Sequence, residues 1–250
     1  MYSNKMYPLR YLPTGHIFID PTDDCDLVVD AMLETDYAEE FCLARDFDEA
    51  FIRRLMMAGF LVMSVELKDE DSGEENKSEE AEPFYILLPK LHLVRSALFF
   101  PELHIKKSIR RFLSRYELRV DTDFDFILDK CAQVHGSDWL TPPLVGILKS
   151  IHRDNTEARP VSFAVYREGE LKAGEIGVVV GRVYTSYSGY YEEGNAGTVQ
   201  MILMTRWLEE NGFAFLDLGM PLNYKTGLGA KDISPDRFVE LFRAGRGRNK

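Results

Sequence analysis

The sequence predicts an α+β fold: a mixed, mostly antiparallel sheet flanked by helices, preceded by a small N-terminal α+β domain. Segments with helical spacing of apolar residues and segments with alternating spacing follow one another along the chain. An acidic tract at 66–82, ELKDEDSGEENKSEEAE, interrupts them and is too polar to join a core. We therefore expect one domain at 1–82, ending in an acidic linker at 66–82, and a second at 83–250.

Composition narrows the class of protein. A chain of 250 residues is long enough to bury a large core. Its net charge of -11 argues against a protein that coats nucleic acid nonspecifically, although a local basic patch is still compatible with binding. The three cysteines form no CxxC pair and the first residues form no unbroken apolar stretch, which favours the cytoplasm. No apolar run approaches the ~20 residues of a membrane span, so we expect no membrane partner.

The N-terminal segment predicts a helix followed by a strand. In DFDEAFIRRLMMAG, Asp46 is placed to cap the helix, Glu49 follows three residues later as in a capping box, and Gly59 ends it. The next stretch, GFLVMSVEL, is apolar and β-branched enough to form a strand.

A basic helix is predicted at 105–116, in HIKKSIRRFLSRY. Its apolar positions lie on one face, and no acidic residue dilutes the cations on the other. Such a cluster is either a solvated helix face or a surface that contacts phosphates, and in an otherwise acidic chain the two interpretations are about equally good. The cationic residues are Lys106, Lys107, Arg110, Arg111 and Arg115.

Two helices and a set of strands follow. FDFILDKCAQVHG has helical spacing, and DWLTPPLVGILKSIHRDN predicts a second helix with Thr141 as N-cap and Pro142 in its first turn. From 160 to 191 the alternating apolar residues, with a turn at 167–170, predict an antiparallel meander.

A last helix is expected from Asn195, its N-cap, to the stop at Asn211 and Gly212, and FAFLDL then forms a strand. Two helices, paired strands, a helix and another strand is the element order of a GNAT-like acyltransferase domain. Asp217 lies inside that strand, where an ionised carboxylate costs several kcal/mol unless it is paired or hydrogen-bonded. It serves either chemistry or a structural bond to backbone amides.

Five segments carry a more specific resemblance. They are LFFPELHIKKS, CAQVHGSDWLT, VSFAVY, GVVVGRVYTSYSGYYEEGNAGT and LDLGMPLNYKTGLGA. In the same order, they resemble LFPxxLHxSRS, CAxxR…TWIT, HSVExW, GxxxGxxFxGESMFSxxxNASK and IDxQxxxxHxxSLGA of the leucyl/phenylalanyl-tRNA–protein transferases. The resemblance covers about 97–242. Matching positions include Leu103, His104, Ser108, Cys131, Ala132, Trp139, Thr141, Ser162, Gly177, Gly181, Ser188, Asn195, Ala196, Asp217, Leu228, Gly229 and Ala230.

The resemblance implies transfer of leucine, phenylalanine or another amino acid from aminoacyl-tRNA to the N-terminus of an acceptor protein, as in the N-degron pathway. The acceptor would carry a basic N-terminal residue, the enzyme would need no cofactor or metal, and we favour a monomer. Asp217 would orient or deprotonate the incoming amine, and the five cations of the basic helix would contact tRNA. Substrate-binding candidates are Trp139, Ser162, Tyr166, Tyr187, Ser188, Tyr190 and Asn195.

Several family positions differ in this chain, and three of them leave alternatives open. Tyr187 stands for the glutamate of GES, Gly219 for the glutamine of IDxQ, and Tyr224 for the histidine. A relative that binds tRNA or protein without catalysis is therefore one alternative. An acyl-CoA-dependent N-acetyltransferase is another, less favoured because YYEEGNAGT places acids where a pyrophosphate-binding turn needs a base.

Overall fold

The computed structural model describes residues 7–35, 37–67, 83–135, 139–154 and 156–247. The predicted acidic linker lies outside these residues, apart from Glu66 and Leu67 at the end of a strand. The strands are β1 (Arg10–Tyr11), β2 (Ile17–Phe18), β3 (Leu61–Leu67), β4 (Phe84–Lys90), β5 (Arg95–Leu98), β6 (Glu117–Val120), β7 (Arg159–Arg167), β8 (Glu170–Val180), β9 (Val183–Tyr191), β10 (Phe215–Asp217) and β11 (Lys231–Ile233).

The helices lie before, between and after these strands, and a short 3-10 turn spans Phe100–Glu102. They are α1 (Cys25–Glu34), α2 (Glu49–Ala58), α3 (Lys107–Leu113), α4 (Phe124–His135), α5 (Pro142–Asp154), α6 (Ala196–Glu210), α7 (Asn223–Gly227) and α8 (Pro235–Arg246). Among the described residues, none of these helices has the length and apolar character needed to cross a membrane.

A seven-stranded mixed sheet organises the molecule, in the order β11-β5-β10-β9-β8-β7-β6. All neighbours are antiparallel except β9 and β10, which are parallel. The predicted meander is confirmed, and its turn places Glu168 and Gly169 at φ of 56° and 82°, the left-handed pair that a tight hairpin requires. The prediction of a mixed, mostly antiparallel sheet flanked by helices is therefore confirmed.

Each face of the sheet packs against its own helices, as the alternation along β7 illustrates. Val161, Phe163 and Val165 belong to the core that contains α6, whereas Ala164 and Tyr166 belong to the core that contains α2, α4, α5 and α8. A strand with helices packed on both of its faces has a nearly continuous apolar sequence, and PVSFAVY in β7 is such a sequence.

The N-terminal part of the chain contacts the large sheet through β3. This strand pairs with β4 in a separate two-stranded sheet, so the hairpin spans the position where the sequence places its domain boundary. The Ser64 N–H donates to the Trp139 carbonyl at 3.0 Å, and the Val62 N–H donates to the Tyr187 hydroxyl at 3.2 Å. These bonds hold β3 against the edge of a cavity. The division into 1–82 and 83–250 stays a prediction.

Two predicted helix starts are corrected. Asp48, not Asp46, caps α2, because its carboxylate accepts from the Phe51 N–H at 2.8 Å and this register buries Phe51. The basic helix begins at Lys107 rather than at 105, because the His104 N–H donates to the Leu228 carbonyl at 2.8 Å. That long-range bond keeps residues 104–106 out of the helix.

Two predicted helix ends and one predicted strand can also be compared with the structure. Gly59 ends α2 in the left-handed conformation at φ 100°, as predicted. The basic helix ends after Leu113 instead of reaching 116, because β6 starts at Glu117. The strand predicted in FAFLDL is confirmed but shorter, at Phe215–Asp217.

Candidate functional site

A cavity of ≈ 810 Å³ lies beside β8 and β9, at the first turn of α6 and the segment after β10. Its lining also includes Leu61 and Met63 of β3, so both the N-terminal segment and the large sheet contribute walls. Five of the seven predicted substrate-binding residues line this cavity: Trp139, Tyr187, Ser188, Tyr190 and Asn195. Sequence blocks far apart in the chain therefore converge on one space, and the binding role of these residues stays a prediction.

A β-bulge shapes one wall of the cavity. In the pairing of β8 with β9, Ile176 faces Ser188 and Gly177 faces Ser186, so Tyr187 is the extra residue. A bulge bends its strand and redirects a side chain, and bulges are frequent beside active sites. The Tyr187 ring is directed toward β3, where its hydroxyl accepts the Val62 N–H. The residue that replaces the family's glutamate thus closes the cavity against the N-terminal segment.

Two other lining residues present polar groups without side-chain partners. The Tyr190 hydroxyl is buried and makes no hydrogen bond within the described residues. Asn195 occupies the N-cap position of α6 with a φ of 70°, and its side chain does not cap the helix. The expectation that Asn195 begins this helix is correct in position, but its amide side chain makes no capping bond. The first turn of α6 therefore faces the cavity without a capping side chain.

Two predicted substrate-binding residues lie outside the lining of this cavity, and their binding role stays a prediction. Ser162 is buried in β7 and does not line the cavity. Tyr166 also lies outside the lining, because its hydroxyl donates to Asp123 at 2.6 Å and the Arg119 guanidinium covers its ring at 4.0 Å.

Asp217 is fully buried and paired with Arg95. The Arg95 guanidinium donates twice to the carboxylate, from Nε at 2.9 Å and from Nη2 at 2.6 Å, and it too is 0% exposed. The Gly219 N–H donates to Oδ1 at 3.0 Å. Burial is the largest influence and alone would raise the pKa of Asp217, but the Arg95 charge and the hydrogen bonds from Arg95 and Gly219 together lower this pKa below its ordinary value.

This arrangement weakens the prediction that Asp217 acts on the amine directly. Neither Asp217 nor Arg95 lines the cavity. A carboxylate with a lowered pKa and two charge-assisted bonds is also a poor proton acceptor. Its bond to Gly219 does reach the cavity, because Leu218, Gly219 and Met220 form part of the wall. The geometry therefore favours a positioning role, in which the pair fixes the backbone after β10.

The sequence interpretation missed three cavity residues that can ionise. Glu175 lies in β8 and is buried, and burial raises its pKa. Lys225 is also buried, and its Nζ donates to the carbonyls of Leu218 and Met220. Burial, with the nearby Arg95 charge, lowers the pKa of His92 to about 4, so that its imidazole is neutral near pH 7. A lone carboxylate within the apolar run AGEIGVVV was the available signal for Glu175.

The five cations of the basic helix are all exposed. Within the described part of the chain, none of them has a carboxylate within 4.0 Å. The guanidiniums of Arg111 and Arg115 lie 4.9 and 5.2 Å from the Phe112 ring centre, which restricts their orientation. The patch is therefore accessible and positively charged, as phosphate binding requires.

Comparison with known proteins identifies the family. The family model described as leucyl/phenylalanyl-tRNA protein transferase matches residues 97–243, which is more than half of the chain. The chain therefore belongs to this family. Similar curated proteins are the leucyl/phenylalanyl-tRNA–protein transferases of Pseudomonas entomophila and Pseudomonas putida, both 31% identical over 151 residues. In each case the match covers 58% of this chain and 66% of the relative's own length.

Solved structures show weaker likeness. FemX has a TM-score of 0.46 at 10% identity, covering 90% of this chain and 81% of its own. L-PGS from Bacillus licheniformis has a TM-score of 0.39 at 12% identity, covering 95% and 88%. TM-scores below 0.5 support no inference about activity.

Proposed function

We propose that this protein transfers an aminoacyl group from aminoacyl-tRNA to the α-amino group of an acceptor protein. One observation carries the proposal: the matched family segments converge on a large cavity, and a free basic helix lies on the same chain. The cavity is large enough for the amino acid and the terminal adenosine, in the size range of small-molecule sites. The basic helix would hold the tRNA outside it.

The reaction needs positioning more than chemical activation, because the substrate is already an ester. The acceptor nitrogen attacks the ester carbonyl carbon, a C–N bond forms, and the bond to the ribose oxygen breaks. The proton lost by the amine ends on that oxygen. Holding the two groups in attack geometry can supply ~7–11 kcal/mol at best. The walls fixed by Tyr187 and by the Asp217–Arg95 pair would provide this geometry.

The first turn of α6 suits the sugar or phosphate end of the substrate. Backbone N–H groups at a helix start are unpaired within the helix and attract anions and hydroxyls. Asn195, Gly197 and Thr198 line the cavity there, and no side chain caps the turn. We assign the terminal adenosine to this side of the cavity, which the aromatic residues Trp139 and Tyr190 also line.

The finer features of the assignment complete the proposal. The strands and helices from β6 to β10 are consistent with a GNAT-like acyltransferase domain at 83–250, preceded by the smaller N-terminal domain at 1–82. An acceptor with a basic N-terminal residue, an N-degron role and a cytoplasmic location follow from family membership as part of the same proposal.

A transfer assay tests the function. Purified protein is incubated with tRNA charged with labelled leucine, phenylalanine, lysine or glutamine and a peptide beginning with arginine or lysine. Label in the peptide supports the proposed function. Binding of tRNA without transfer would favour the non-catalytic alternative, since Tyr187, Gly219 and Tyr224 stand where the family has glutamate, glutamine and histidine. Label from acetyl-CoA would overturn both.

We expect the double change Lys107→Gln and Arg111→Gln to weaken tRNA binding. If both cations contact phosphates, the slope of log affinity against log salt concentration should become shallower by about 1 for each lost contact. Binding measured by fluorescence anisotropy between 50 and 300 mM salt checks this slope. A matched control is Arg206→Gln with Arg237→Gln, which removes the same charge from two other exposed positions. Equal effects of the two double variants would show that net charge alone is responsible.

A further inference from the structure

Glu175 occupies the buried side of the cavity. Its side chain is on β8, its residue is 4% exposed, and the Tyr184 hydroxyl donates to Oε1 at 3.2 Å. Ser186 and Gln200, which also line the cavity, have polar groups near the carboxylate that favour its ionised form. Burial nevertheless raises the pKa of Glu175, so these donors do not replace the water that the carboxylate has lost.

No cation among the described residues lies within 4.0 Å of this carboxylate. Lys225 is the candidate ion-pair partner, since its positive charge favours the ionised form of Glu175. Its Nζ is already bound by the carbonyls of Leu218 at 2.5 Å and Met220 at 2.8 Å. Buried charges in proteins are normally paired as well as hydrogen-bonded, whereas among the described residues Glu175 has a hydrogen-bond donor but no ion-pair partner.

The position of Glu175 decides what can reach it. Tyr191, Met220 and Tyr224 at the rim are 71%, 51% and 56% exposed, so the cavity opens on their side. The bodies of a tRNA and of an acceptor protein are too large to enter, so only the terminal adenosine, the ester and the attached amino acid would lie inside the cavity. With the adenosine assigned to the first turn of α6, the space beside Glu175 would hold the side chain of the amino acid being transferred.

We propose that Glu175 selects an aminoacyl side chain that ends in hydrogen-bond donors, such as an amide or a cation, in place of a leucyl or phenylalanyl side chain. This inference rests on the proposed function, because it names the substrate class of that same site. An apolar side chain would seal the carboxylate from water without supplying a donor. Sites that hydrogen-bond a substrate group reject analogues that lack it by as much as roughly 10⁴–10⁵-fold.

Binding of stable substrate analogues tests the inference without requiring turnover. The probes are adenosines with a 3′-amide-linked lysyl, glutaminyl, leucyl or phenylalanyl group. The native protein should bind the lysyl and glutaminyl probes at least about tenfold more tightly than the leucyl and phenylalanyl probes. Glu175→Met, which has similar length and no charge, should reverse this order. Glu175→Gln should weaken the lysyl probe by about tenfold or more while retaining the fold.

The control is Glu192→Met, which removes the same charge from an exposed position outside the lining and should leave the order unchanged. Thermal melting confirms that each variant is folded before binding is measured. A native preference for leucyl or phenylalanyl probes that Glu175→Met leaves unchanged would overturn the inference, while transfer from charged tRNA would still support the proposed function. Tight binding of lysyl or glutaminyl probes with no transfer from any charged tRNA would instead contradict the function and uphold the role of Glu175 in selection.

Discussion

Replacing Arg95 by methionine should lower the free energy of unfolding by about 3–5 kcal/mol, because removal of one partner leaves a buried charge uncompensated. The partner is Asp217, and both residues are fully buried. Arg95→Met also removes the guanidinium that lies 3.9 Å from the Phe238 ring centre and the bond to the Gly59 carbonyl. Urea denaturation of the native protein and the variant measures the difference.

The double variant Arg95→Met with Asp217→Asn separates charge from packing. It removes both charges, and the asparagine oxygen can still accept the Gly219 N–H. We expect it to recover a large part of the stability lost in Arg95→Met, since neutral replacements of a buried ion pair are often tolerated. Arg237→Met is the control, because its pair with Glu240 is exposed and such pairs contribute about 0–1 kcal/mol. A double variant less stable than Arg95→Met would contradict this account.

The local signals in the sequence predicted local structure correctly where the chain itself provides both partners. The helix stop at Gly59 and the hairpin turn at Glu168 and Gly169 depend on the conformational preferences of adjacent residues. The basic helix was predicted too long because its start is determined by a bond from His104 to Leu228, which is distant in sequence. Where the end of a helix or strand is determined by contacts with distant residues, the local sequence does not predict it.

The residues of the candidate site also divide into those that local sequence reveals and those that only long-range contacts bring together. The aromatic and polar residues of β9 and the start of α6 were found because they are close together in sequence and match the family's segments. Arg95 and Asp217 are 122 positions apart, so only the pairing of β5 with β10 brings them together. Ser162 and Tyr166 were named as candidates because VSFAVY resembles a family segment, and the sequence does not say which face of β7 meets the cavity.

The pH dependence of transfer should show no titration of Asp217 in either of its two possible roles, so the rate of a variant must distinguish them. A general base that must be ionised gives a rate that falls on acidification through its pKa. Because Arg95 lowers the pKa of Asp217 below the ordinary 3.8, this carboxylate stays ionised throughout the range above pH 5 in which transfer can be assayed. Its stabilising effect is likewise fully present above the unfolded value and is lost only as pH falls through the lower folded value.

We therefore expect Asp217→Asn to be strongly destabilised, by about 3 kcal/mol, because the Arg95 charge loses its partner. Transfer per folded molecule, measured in single turnovers at a temperature where the variant is folded, should keep the pH profile of the native protein. The rate should fall only because the backbone at Gly219 is displaced in the cavity wall. The double variant Arg95→Met with Asp217→Asn should show the same pH profile and a similar rate. A loss of roughly 10²–10⁴-fold in both variants, at full folding, is the outcome expected of a missing base and would restore Asp217 to the chemistry.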